Sequence, residues 1–456
     1  MRLSHRFHTL LLPATTVALA AAAALGAARG GTALLLVAAI AAVCGLAAVV
    51  SLRPDHVFLA WLAVAPFVQG TIGSSGAGHV FRVLIYSFPP LLFVLWTVTQ
   101  RRVVSLTFVD ALPVLYLVIV AISAQFGAGN PSPTQVYSIV GIGVILYYLC
   151  AFGPIGRDIY PSIAAVLLVA GCASAGWVMI SRAAGIDSSS YQLDVAASAQ
   201  RAAGTFGSSA VLGMFLGVII ALALAILAWG GPRNLRRLSY VAILLSAPAL
   251  ALTLTRGPLI GAGVVALLLL VLRGRTRWLT VVAVAIALLV LVAEWGDITS
   301  THLYKSRFSN TSDVQIRVVI DRISTKLAEQ KPVLGWGYGS FDDVKQNVSF
   351  NPAPFTRTDV LQYTSHNTFF TVLAETGGVG LLVLVLPWLI LARRSLRVAG
   401  RHGPEQWAVV AMLAMLGVWI LGAGTFDVRF FSLASALPFL AAGLMRRLEL
   451  DRQSVA

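Results

Sequence analysis

Basic side chains recur along this chain between long apolar runs, where they could bind an anion. Arginine suits phosphate because its planar guanidinium group donates two parallel hydrogen bonds. One side of the predicted topology collects the following basic residues: Arg182, Arg201, Arg256, Lys305, Arg307, Arg317, Arg322, Lys326, Lys331, Lys345, Arg357 and Arg429. Long soluble loops tolerate such charges without any special role. That alternative explains the residues of the longest loop well and Arg256 poorly.

Arg256 lies in the segment Leu252-Thr-Leu-Thr-Arg256-Gly-Pro258, between two apolar runs with almost no loop between them. A charged side chain within a bilayer costs about 2.5 to 3.5 kcal/mol on insertion scales unless it is paired, so such a residue is a functional candidate. The following Gly-Pro pair predicts a helix break at this point. The alternative interpretation is that Arg256 extends its charge to the interface.

His366 stands where a long polar segment meets an apolar run, in Ser365-His366-Asn367-Thr368. Asn367 or Ser365 is predicted to cap the helix that follows. The helix dipole would then disfavour protonation of His366 and leave its imidazole able to accept a proton. A lone histidine is more often structural than catalytic, but this position favours a catalytic role. Glu375 would point to the opposite side of the same helix, as a structural brace that needs a partner.

The composition excludes an ordinary globular enzyme. The chain has 456 residues, of which 58% are hydrophobic and only 11% are charged, against about 25% charged in typical soluble domains. Its net charge of +15 is spread over short loops, so no nucleic acid partner is expected. Cys44, Cys150 and Cys172 all fall in apolar stretches and are interpreted as small hydrophobic residues in buried helices.

The apolar runs predict an all-α polytopic membrane protein with about 12–14 transmembrane helices, since a full crossing needs roughly 20 apolar residues. The candidate spans are 9–29, 31–50, 57–69, 80–99, 107–126, 134–152, 159–181, 209–229, 237–255, 257–272, 278–296, 367–392, 406–423 and 429–446. The third and tenth are short. Residues 9–29 resemble a cleavable signal peptide, but a retained helix is favoured because a second apolar run follows directly.

Arginine clusters orient these spans, because short cytoplasmic loops are rich in arginine and lysine. The clusters at 101–102, 233–237, 273–277, 393–401 and 446–447 all fall on one side, which places both termini in the cytoplasm. Residues 1–296 are then N-terminal transmembrane helices with outer loops at 182–208 and near 256. Residues 297–366 form one large extracytoplasmic loop. The C-terminal three helices occupy 367–446, and 447–456 form a cytoplasmic tail.

The large loop is predicted to contain an amphipathic helix that lies on the membrane surface and covers the spans. Its apolar side chains recur at helical spacing, at Ile316, Val319, Ile320, Ile323 and Leu327. Ser312 and Gln315 fit a capping box, and Pro332 ends the helix. The stretch Gly335-Trp-Gly337-Tyr338-Gly339 predicts backbone that approaches a ligand closely. Asp342 and Asp343 could bind a divalent ion but are better interpreted as solvated.

Four segments in order resemble the O-antigen ligase superfamily, which includes ligases and polymerases. The first two segments are Arg201-Ala-Ala-Gly-Thr-Phe and Thr255-Arg256-Gly. The third extends from Arg317 through Pro332 to Gly335-Trp-Gly-Tyr-Gly-Ser-Phe341, and the fourth from His366-Asn367 to Glu375-Thr-Gly377. The resemblance covers roughly residues 200 to 390; the earlier spans match only in being apolar. Fourteen candidate spans exceed the dozen or so that such a protein would have.

The resemblance implies a GT-C-like membrane glycosyltransferase of the bacterial plasma membrane, with an extracytoplasmic active site and no metal or other cofactor. It would take a glycan from a polyprenyl-diphosphate-linked donor and pass it to a hydroxyl of a glycan or glycolipid acceptor. Arg201, Arg256 and Arg317 would bind the diphosphate, and His366 would accept the acceptor proton or join the phosphate site. Asn367, Glu375, Gly335, Gly337 and Tyr338 would support them.

Two alternatives stay open at this point. A polymerase would differ from a ligase only in its acceptor, another lipid-linked repeat unit. A lipid-linked glycan transporter or flippase would also need arginines within the membrane, but it would place them near the midplane of repeated halves. The basic residues here gather on one face, and the sequence shows no convincing internal repeat. Transfer to an envelope acceptor is therefore favoured.

Overall fold

The protein is an all-α polytopic membrane protein, described here by a computed structural model. The structure describes residues 54–71, 86–94, 96–97, 106–129, 131–153, 159–184, 202–206, 208–272, 312–399 and 405–453. The predicted spans at 9–29, 31–50 and 278–296, together with Arg201, lie outside these residues. Within the described ranges all regular secondary structure is helical.

The described residues are mostly helical. The α-helices are α1 (Pro54–Thr71), α2 (Phe108–Phe126), α3 (Pro133–Val136), α4 (Ile142–Phe152), α5 (Ile159–Ala183), α6 (Ser209–Ala228), α7 (Arg233–Leu252), α8 (Arg256–Leu272), α9 (Ser312–Gln330), α10 (Phe341–Val344), α11 (Arg357–Leu361), α12 (Thr368–Ala399), α13 (Gln406–Ala423) and α14 (Ser432–Gln453). A π-helical segment, Tyr137–Gly141, joins α3 to α4.

Six of the described helices are long and apolar enough to cross a membrane, in agreement with the predicted fold class. They are α2, α5, α6, α7, α12 and α13. The bounds of α13, Gln406–Ala423, coincide with a predicted span. The last helix, α14, continues to Gln453, so most of the predicted cytoplasmic tail is helical.

The centre of the bundle is α6, whose side chains Leu212, Leu216, Val218 and Ile219 have no exposed surface. It packs against α7, α8 and α13. Close packing depends on small residues, as is usual between membrane helices. A Cβ added at Gly213 would contact the hydroxyls of the turn before α8. This central helix therefore fixes the position of the turn from which Arg256 emerges.

An ion pair closes the end of the bundle opposite the large loop. Arg446 of α14 donates through Nε and Nη2 to the Asp110 carboxylate of α2, at 2.8 and 2.9 Å. Tyr147 of α4 donates to the same carboxylate at 2.8 Å. Asp110 has no exposed surface and Arg446 only 2%. The pairing explains why α14 extends beyond the predicted span: its polar residues have partners there.

The long helix α12 is interrupted at Gly377, where the backbone has φ 67° and ψ −173°. This conformation is essentially restricted to glycine. A break in a membrane helix leaves backbone groups without their helical partners, and they must be satisfied by neighbouring protein. The loop supplies the partners: Trp336 N donates to Ala374 O at 3.0 Å, and Gly378 N donates to Pro332 O at 2.7 Å. The loop segment 332–337 is thus joined to the broken helix by backbone hydrogen bonds.

The large loop has a small hydrophobic core of its own. The predicted amphipathic helix is α9, and it ends at Gln330, before Pro332, as predicted. Its apolar side chains pack against residues of the same loop and of α12, namely Phe341, Val344, Val348, Val360 and Ala374. Protein therefore covers the apolar face of α9, and the position of this helix on the membrane surface stays a prediction. The side chain of Ser312, in the predicted capping box, lies outside the described residues.

Candidate functional site

The turn between α13 and α14 packs directly against the start of α8. Thr425 lies so close to Gly257 that a Cβ added to the glycine would overlap the threonine hydroxyl. Glycine is therefore required next to Arg256 for this approach. Arg256 itself is half-buried and occupies the first turn of α8. The helix N-terminus adds its partial positive charge to that of the guanidinium group, which is the arrangement that favours an anion.

The same turn also packs against the start of α12. Thr368 Oγ1 donates to Phe426 O at 3.0 Å and accepts a hydrogen bond from Val428 N at 3.0 Å. Thr368 is two residues after His366 in the chain. Arg256 and His366 therefore stand at the N-termini of two helices, α8 and α12, that flank one turn at the loop end of the bundle.

The segment before Arg256 is held in a tight, strained turn. Leu254 has a φ of 50°, a conformation that costs a non-glycine residue roughly 1–2 kcal/mol. Thr253 Oγ1 lies 2.6 Å from Thr255 Oγ1 and donates to Leu250 O at 2.7 Å. Strain of this kind often accompanies functional positions, where the surrounding structure holds it in place.

The chain that follows Arg201 meets this turn as well. Ala202 N donates to Leu252 O at 3.2 Å, so the predicted first motif runs beside the turn before Arg256. Arg201 itself lies outside the described residues. The backbone contact nevertheless brings the first two of the four predicted segments together.

His366 is oriented by its own loop. Its Nδ1 lies 2.8 Å from Thr364 O. A carbonyl oxygen can only accept, so Nδ1 carries the proton and Nε2 is the nitrogen that can accept one in the neutral ring. Asn367 Oδ1 accepts from the backbone N–H of Phe369 and of Phe370, at 3.0 and 3.2 Å. The prediction that Asn367 caps α12 is confirmed.

Arg317 lies on the exposed side of α9, away from the apolar face of that helix. Its charge is close to Asp321, one turn along. Partial burial raises the pKa of the Asp321 carboxyl to about 6, and the positive charge of Arg317 opposes that rise. The described contacts do not place Arg317 against the turn that joins Arg256 and His366.

Glu375 is the centre of a buried ionic cluster. Its carboxylate accepts from Gly339 N at 2.8 Å and Phe341 N at 3.1 Å, and it forms an ion pair with Arg429. Arg429 also pairs with Asp427, with Nη2 at 2.8 Å from Oδ2. All three charged side chains are almost fully buried. The predicted role of Glu375 as a brace fits these contacts, which bind the loop and the α13–α14 turn to α12.

Sequence reasoning did not identify Arg429 and Asp427 as partners of Glu375. The available signal was a carboxylate inside an apolar helix, which requires a partner, and a basic residue in a short outer turn. Glu375 and Arg429 are 54 positions apart. Sequence spacing does not indicate which of the many outer arginines is the partner of Glu375.

Two glycines of the glycine-rich stretch lie very close to other parts of the protein. A Cβ at Gly335 would overlap the Glu375 backbone at the break in α12, and one at Gly337 would overlap Gly127 at the end of α2. Ala128 N donates to Trp336 O at 2.8 Å. Close backbone approach is therefore confirmed at Gly335 and Gly337, whose partners are the broken helix and the end of α2, and approach to a ligand stays a prediction. Tyr338 follows directly, and burial raises the pKa of its hydroxyl well above the ordinary value, so the hydroxyl keeps its proton.

A cavity of about 260 Å³ lies between the loop, the α3 segment and the ionic cluster. It is lined by Pro131, Gln135, Ile139, Tyr338, Gly339, Phe341, Asp342, Asp343, Thr364, Glu375 and Arg429. Arg256, Arg317 and His366 are not in its wall. The described residues thus contain two neighbouring features, the helix N-termini with Arg256 and His366, and this cavity. They contain no group of three or more His, Cys, Asp or Glu side chains placed to hold a metal ion.

Residues 241–385 match the family model described as O-antigen ligase. The matched segment contains Arg256, Arg317, His366 and Glu375, and it spans α8, α9 and the break in α12. No curated protein matches the chain. The match agrees with the order of motifs from Arg256 to Gly377. The match over residues 241–385 supports the assignment of this membrane protein to the O-antigen ligase superfamily.

Proposed function

We propose that the protein is a metal-independent glycosyltransferase that moves a glycan from a polyprenyl diphosphate carrier to a hydroxyl of a cell-envelope acceptor. The reaction takes place on the outer face of the bacterial plasma membrane, with both termini of the chain in the cytoplasm. The observation that carries the proposal is the single turn packed against both Gly257 and Thr368, because Arg256 precedes Gly257 and His366 lies two residues before Thr368, each at a helix N-terminus that flanks this turn.

Arg256 binds the diphosphate of the donor in this proposal. The guanidinium group and the N-terminus of α8 offer positive charge to the group that becomes more negative as the glycosidic bond breaks. Arg201 and Arg317 are proposed to complete the diphosphate site. The backbone contact of Ala202 with Leu252 supports the first. For Arg317 to bind the diphosphate, the substrate must extend to the exposed side of α9.

His366 accepts the proton of the acceptor. The acceptor oxygen attacks the anomeric carbon of the donor sugar and forms the new C–O bond. The bond from that carbon to the diphosphate oxygen breaks, and polyprenyl diphosphate leaves with the electron pair. The hydroxyl proton passes to Nε2 of His366, which carries no proton in the neutral ring because Nδ1 donates to Thr364 O. Asn367 holds the helix N-terminus that positions the ring, and Glu375, Gly335, Gly337 and Tyr338 hold the loop against it.

A polymerase would carry out the same chemistry on a lipid-linked acceptor, so the choice depends on the acceptor that is used. A transporter is less consistent with the placement of these groups. Arg256 and His366 lie at helix ends on the loop side, whereas a transporter site lies near the bilayer midplane between repeated halves. A flippase also makes no glycosidic bond, and bond formation can be measured directly.

The test is glycan transfer by the purified full-length protein in lipid nanodiscs, from a polyprenyl-diphosphate-linked donor, with and without EDTA. Transfer that persists in EDTA and is lost in Arg256→Ala and His366→Ala is the expected result. Arg236→Ala and His56→Ala are matched controls, because both side chains are exposed and belong to the opposite end of the predicted topology. Both should retain wild-type turnover.

Thermal unfolding of each variant separates loss of chemistry from loss of fold. Wild-type turnover in Arg256→Ala or His366→Ala would remove that residue from the mechanism. Movement of lipid-linked glycan without any new glycosidic bond would replace the glycosyltransferase proposal by the flippase. Transfer to a lipid-linked repeat unit, and to no other acceptor, would identify a polymerase.

A further inference from the structure

The cavity beside the ionic cluster has a buried floor and an exposed rim. Tyr338, Phe341, Glu375 and Arg429 on the floor are each less than 9% exposed. Gln135, Asp342 and Asp343 on the rim are exposed. Its volume of about 260 Å³ is slightly below the range of roughly 300–1,000 Å³ that holds drug-sized ligands. The cavity is therefore open to the loop side and large enough for one small ring.

One polar group on the floor has no hydrogen-bond partner. Tyr338 is 3% exposed, and its hydroxyl makes no hydrogen bond to any described residue. A buried hydroxyl without a partner costs about 1–3 kcal/mol. Such groups in native proteins call for an explanation, and a ligand that completes the hydrogen bond is one. Tyr338 lines the cavity, and its hydroxyl has less than 1 Å² of exposed surface, so a ligand there completes the hydrogen bond after a small rotation of the tyrosine side chain.

The charge of the cavity is unsuited to a diphosphate. Three carboxylates and one guanidinium group line it, those of Asp342, Asp343, Glu375 and Arg429. Arg429 is paired with Glu375 and Asp427, and Lys345 is paired with Asp342, so two cations balance two of the four carboxylates in and beside the wall. An anion would meet unbalanced negative charge. A neutral molecule with several hydroxyls would meet acceptors in the carboxylates and hydrogen-bonding side chains in Gln135 and Thr364.

The cavity lies next to His366 through one shared residue. Thr364 is in the cavity wall, its Oγ1 donates to Asp342 Oδ2 at 3.0 Å, and its carbonyl oxygen accepts from His366 Nδ1. Thr364 therefore contacts both the cavity and the proposed base. Arg256, the proposed diphosphate ligand, is not in the wall.

We propose that this cavity binds one uncharged sugar ring of the acceptor glycan and presents a hydroxyl of that ring toward His366. The inference rests on the proposed glycosyltransferase function and adds a binding site for the second substrate. It separates the two substrates by charge, because the diphosphate of the donor belongs with Arg256 and the neutral acceptor ring belongs with the carboxylates.

The first test measures kinetics with donor and acceptor varied separately. Tyr338→Phe removes only a hydroxyl that has no partner in the protein, so the fold should be unaffected. The lost hydrogen bond to the sugar should raise KM for the acceptor about 2- to 10-fold, while KM for the donor changes less than that. Asp343→Asn should also raise KM for the acceptor. The Asp343 carboxylate is exposed on the rim, so its loss leaves the buried floor intact.

Matched controls are available in the same loop. Tyr363→Phe and Glu329→Gln make the same chemical changes at exposed residues outside the cavity wall, and both should leave KM for the acceptor unchanged. An increase confined to KM for the donor would show that the ring belongs to the donor and would overturn the acceptor assignment. Unchanged constants in Tyr338→Phe and Asp343→Asn would overturn the cavity site altogether.

A second test does not depend on transfer activity. Saturation-transfer NMR on the wild-type protein in nanodiscs would use methyl glucoside, methyl galactoside and methyl mannoside as neutral probes and methyl glucuronide as the anionic probe. The site is supported if a neutral glycoside gives a signal, if that signal is weaker in Tyr338→Phe, and if the glucuronide gives none. This result would stand even if the proposed transfer reaction fails. The site is rejected if no neutral glycoside gives a signal, or if EDTA abolishes the signal and so places a cation in the cavity.

Discussion

Arg429 donates to the carboxylates of both Glu375 and Asp427 and so joins the middle of α12 to the turn between α13 and α14. The Glu375 carboxylate in turn accepts two backbone N–H groups of the loop. One guanidinium group therefore holds together a transmembrane helix, a turn and the loop. The same turn packs against Gly257 and Thr368, so the cluster also supports the positions of Arg256 and His366.

Arg429→Met should lower the free energy of unfolding by about 3–5 kcal/mol, because it leaves two buried carboxylates without their cation. Arg394→Met is the matched control. The Arg394 side chain is 41% exposed and pairs with Glu449, so its loss should cost no more than about 1 kcal/mol. Denaturant titration in detergent would measure both variants. Equal losses would show that Arg429 is not the centre of a buried cluster.

Gly377→Ala should destabilise the docked loop, because alanine would both enter a glycine-only backbone conformation and overlap Val333 O. The conformation alone costs about 1–3 kcal/mol. Faster proteolytic cleavage of the 331–367 segment is the expected readout. Gly263→Ala is the control: no atom lies within 4 Å of an added Cβ there, and alanine favours a helix by up to about 1 kcal/mol. Slow cleavage of Gly377→Ala, equal to that of Gly263→Ala, would argue against the break.

Arg446→Met should destabilise the protein by about 3–5 kcal/mol, since Asp110 would be left buried without its partner. The pair closes the end of the bundle opposite the loop, so the folded fraction should keep wild-type KM values for donor and acceptor. Transfer kinetics at a temperature well below the unfolding midpoint would check this. A changed KM would show that the two ends of the bundle are coupled.

Asp321 should make the loop less stable as the pH rises from about 4 to about 6. Burial raises the pKa of its carboxyl to about 6 in the folded protein, above the value of about 3.9 for an unperturbed aspartate. In that interval the unfolded chain has lost a proton that the folded chain retains, and stability falls with pH. Thermal unfolding of wild type and Asp321→Asn should differ in slope across this window and run parallel above it. Identical slopes would contradict the assignment.

The pH dependence of stability that Asp359 contributes has the opposite sign to that of Asp321. Hydrogen bonds from the Thr356 side chain and backbone lower the pKa of its carboxyl. The stability that Asp359 contributes is therefore present above the pKa of this carboxyl in the unfolded chain. It is lost as the pH falls through the pKa in the folded protein. In Asp359→Asn the acid side of the stability profile should flatten, whereas Asp321→Asn changes the profile between about pH 4 and 6.

The helices themselves were largely predictable, because long apolar runs must form helices in a bilayer. The bounds of α13 agree with the predicted span, the apolar side of α9 was identified from its spacing, and Asn367 caps α12 as expected. These features depend on local sequence alone. The capping prediction, for example, needs only a polar side chain before an apolar run.

The pairings between distant segments were not predictable. Glu375 clearly needed a partner, but no spacing rule selects Arg429 from the other arginines on the same side. The break at Gly377 was also hidden, because the residues on both sides are apolar enough to be interpreted as one continuous span. The two glycines after Thr376 were the available signal. Only the loop backbone at 332–337 shows why the break is stable there.

The pairing of Asp110 with Arg446 has a consequence for how the protein is made. The two residues are 336 positions apart, so Asp110 is synthesised and inserted long before its partner. Glu375 is likewise synthesised before its partner Arg429, after which only α14 remains to be made. A chain that stops before α14 leaves Asp110 with hydrogen bonds from Thr107 and Tyr147 but without its cation, and a buried charge that lacks its partner costs several kcal/mol. Synthesis of the final helix is therefore the step that supplies the cation for Asp110.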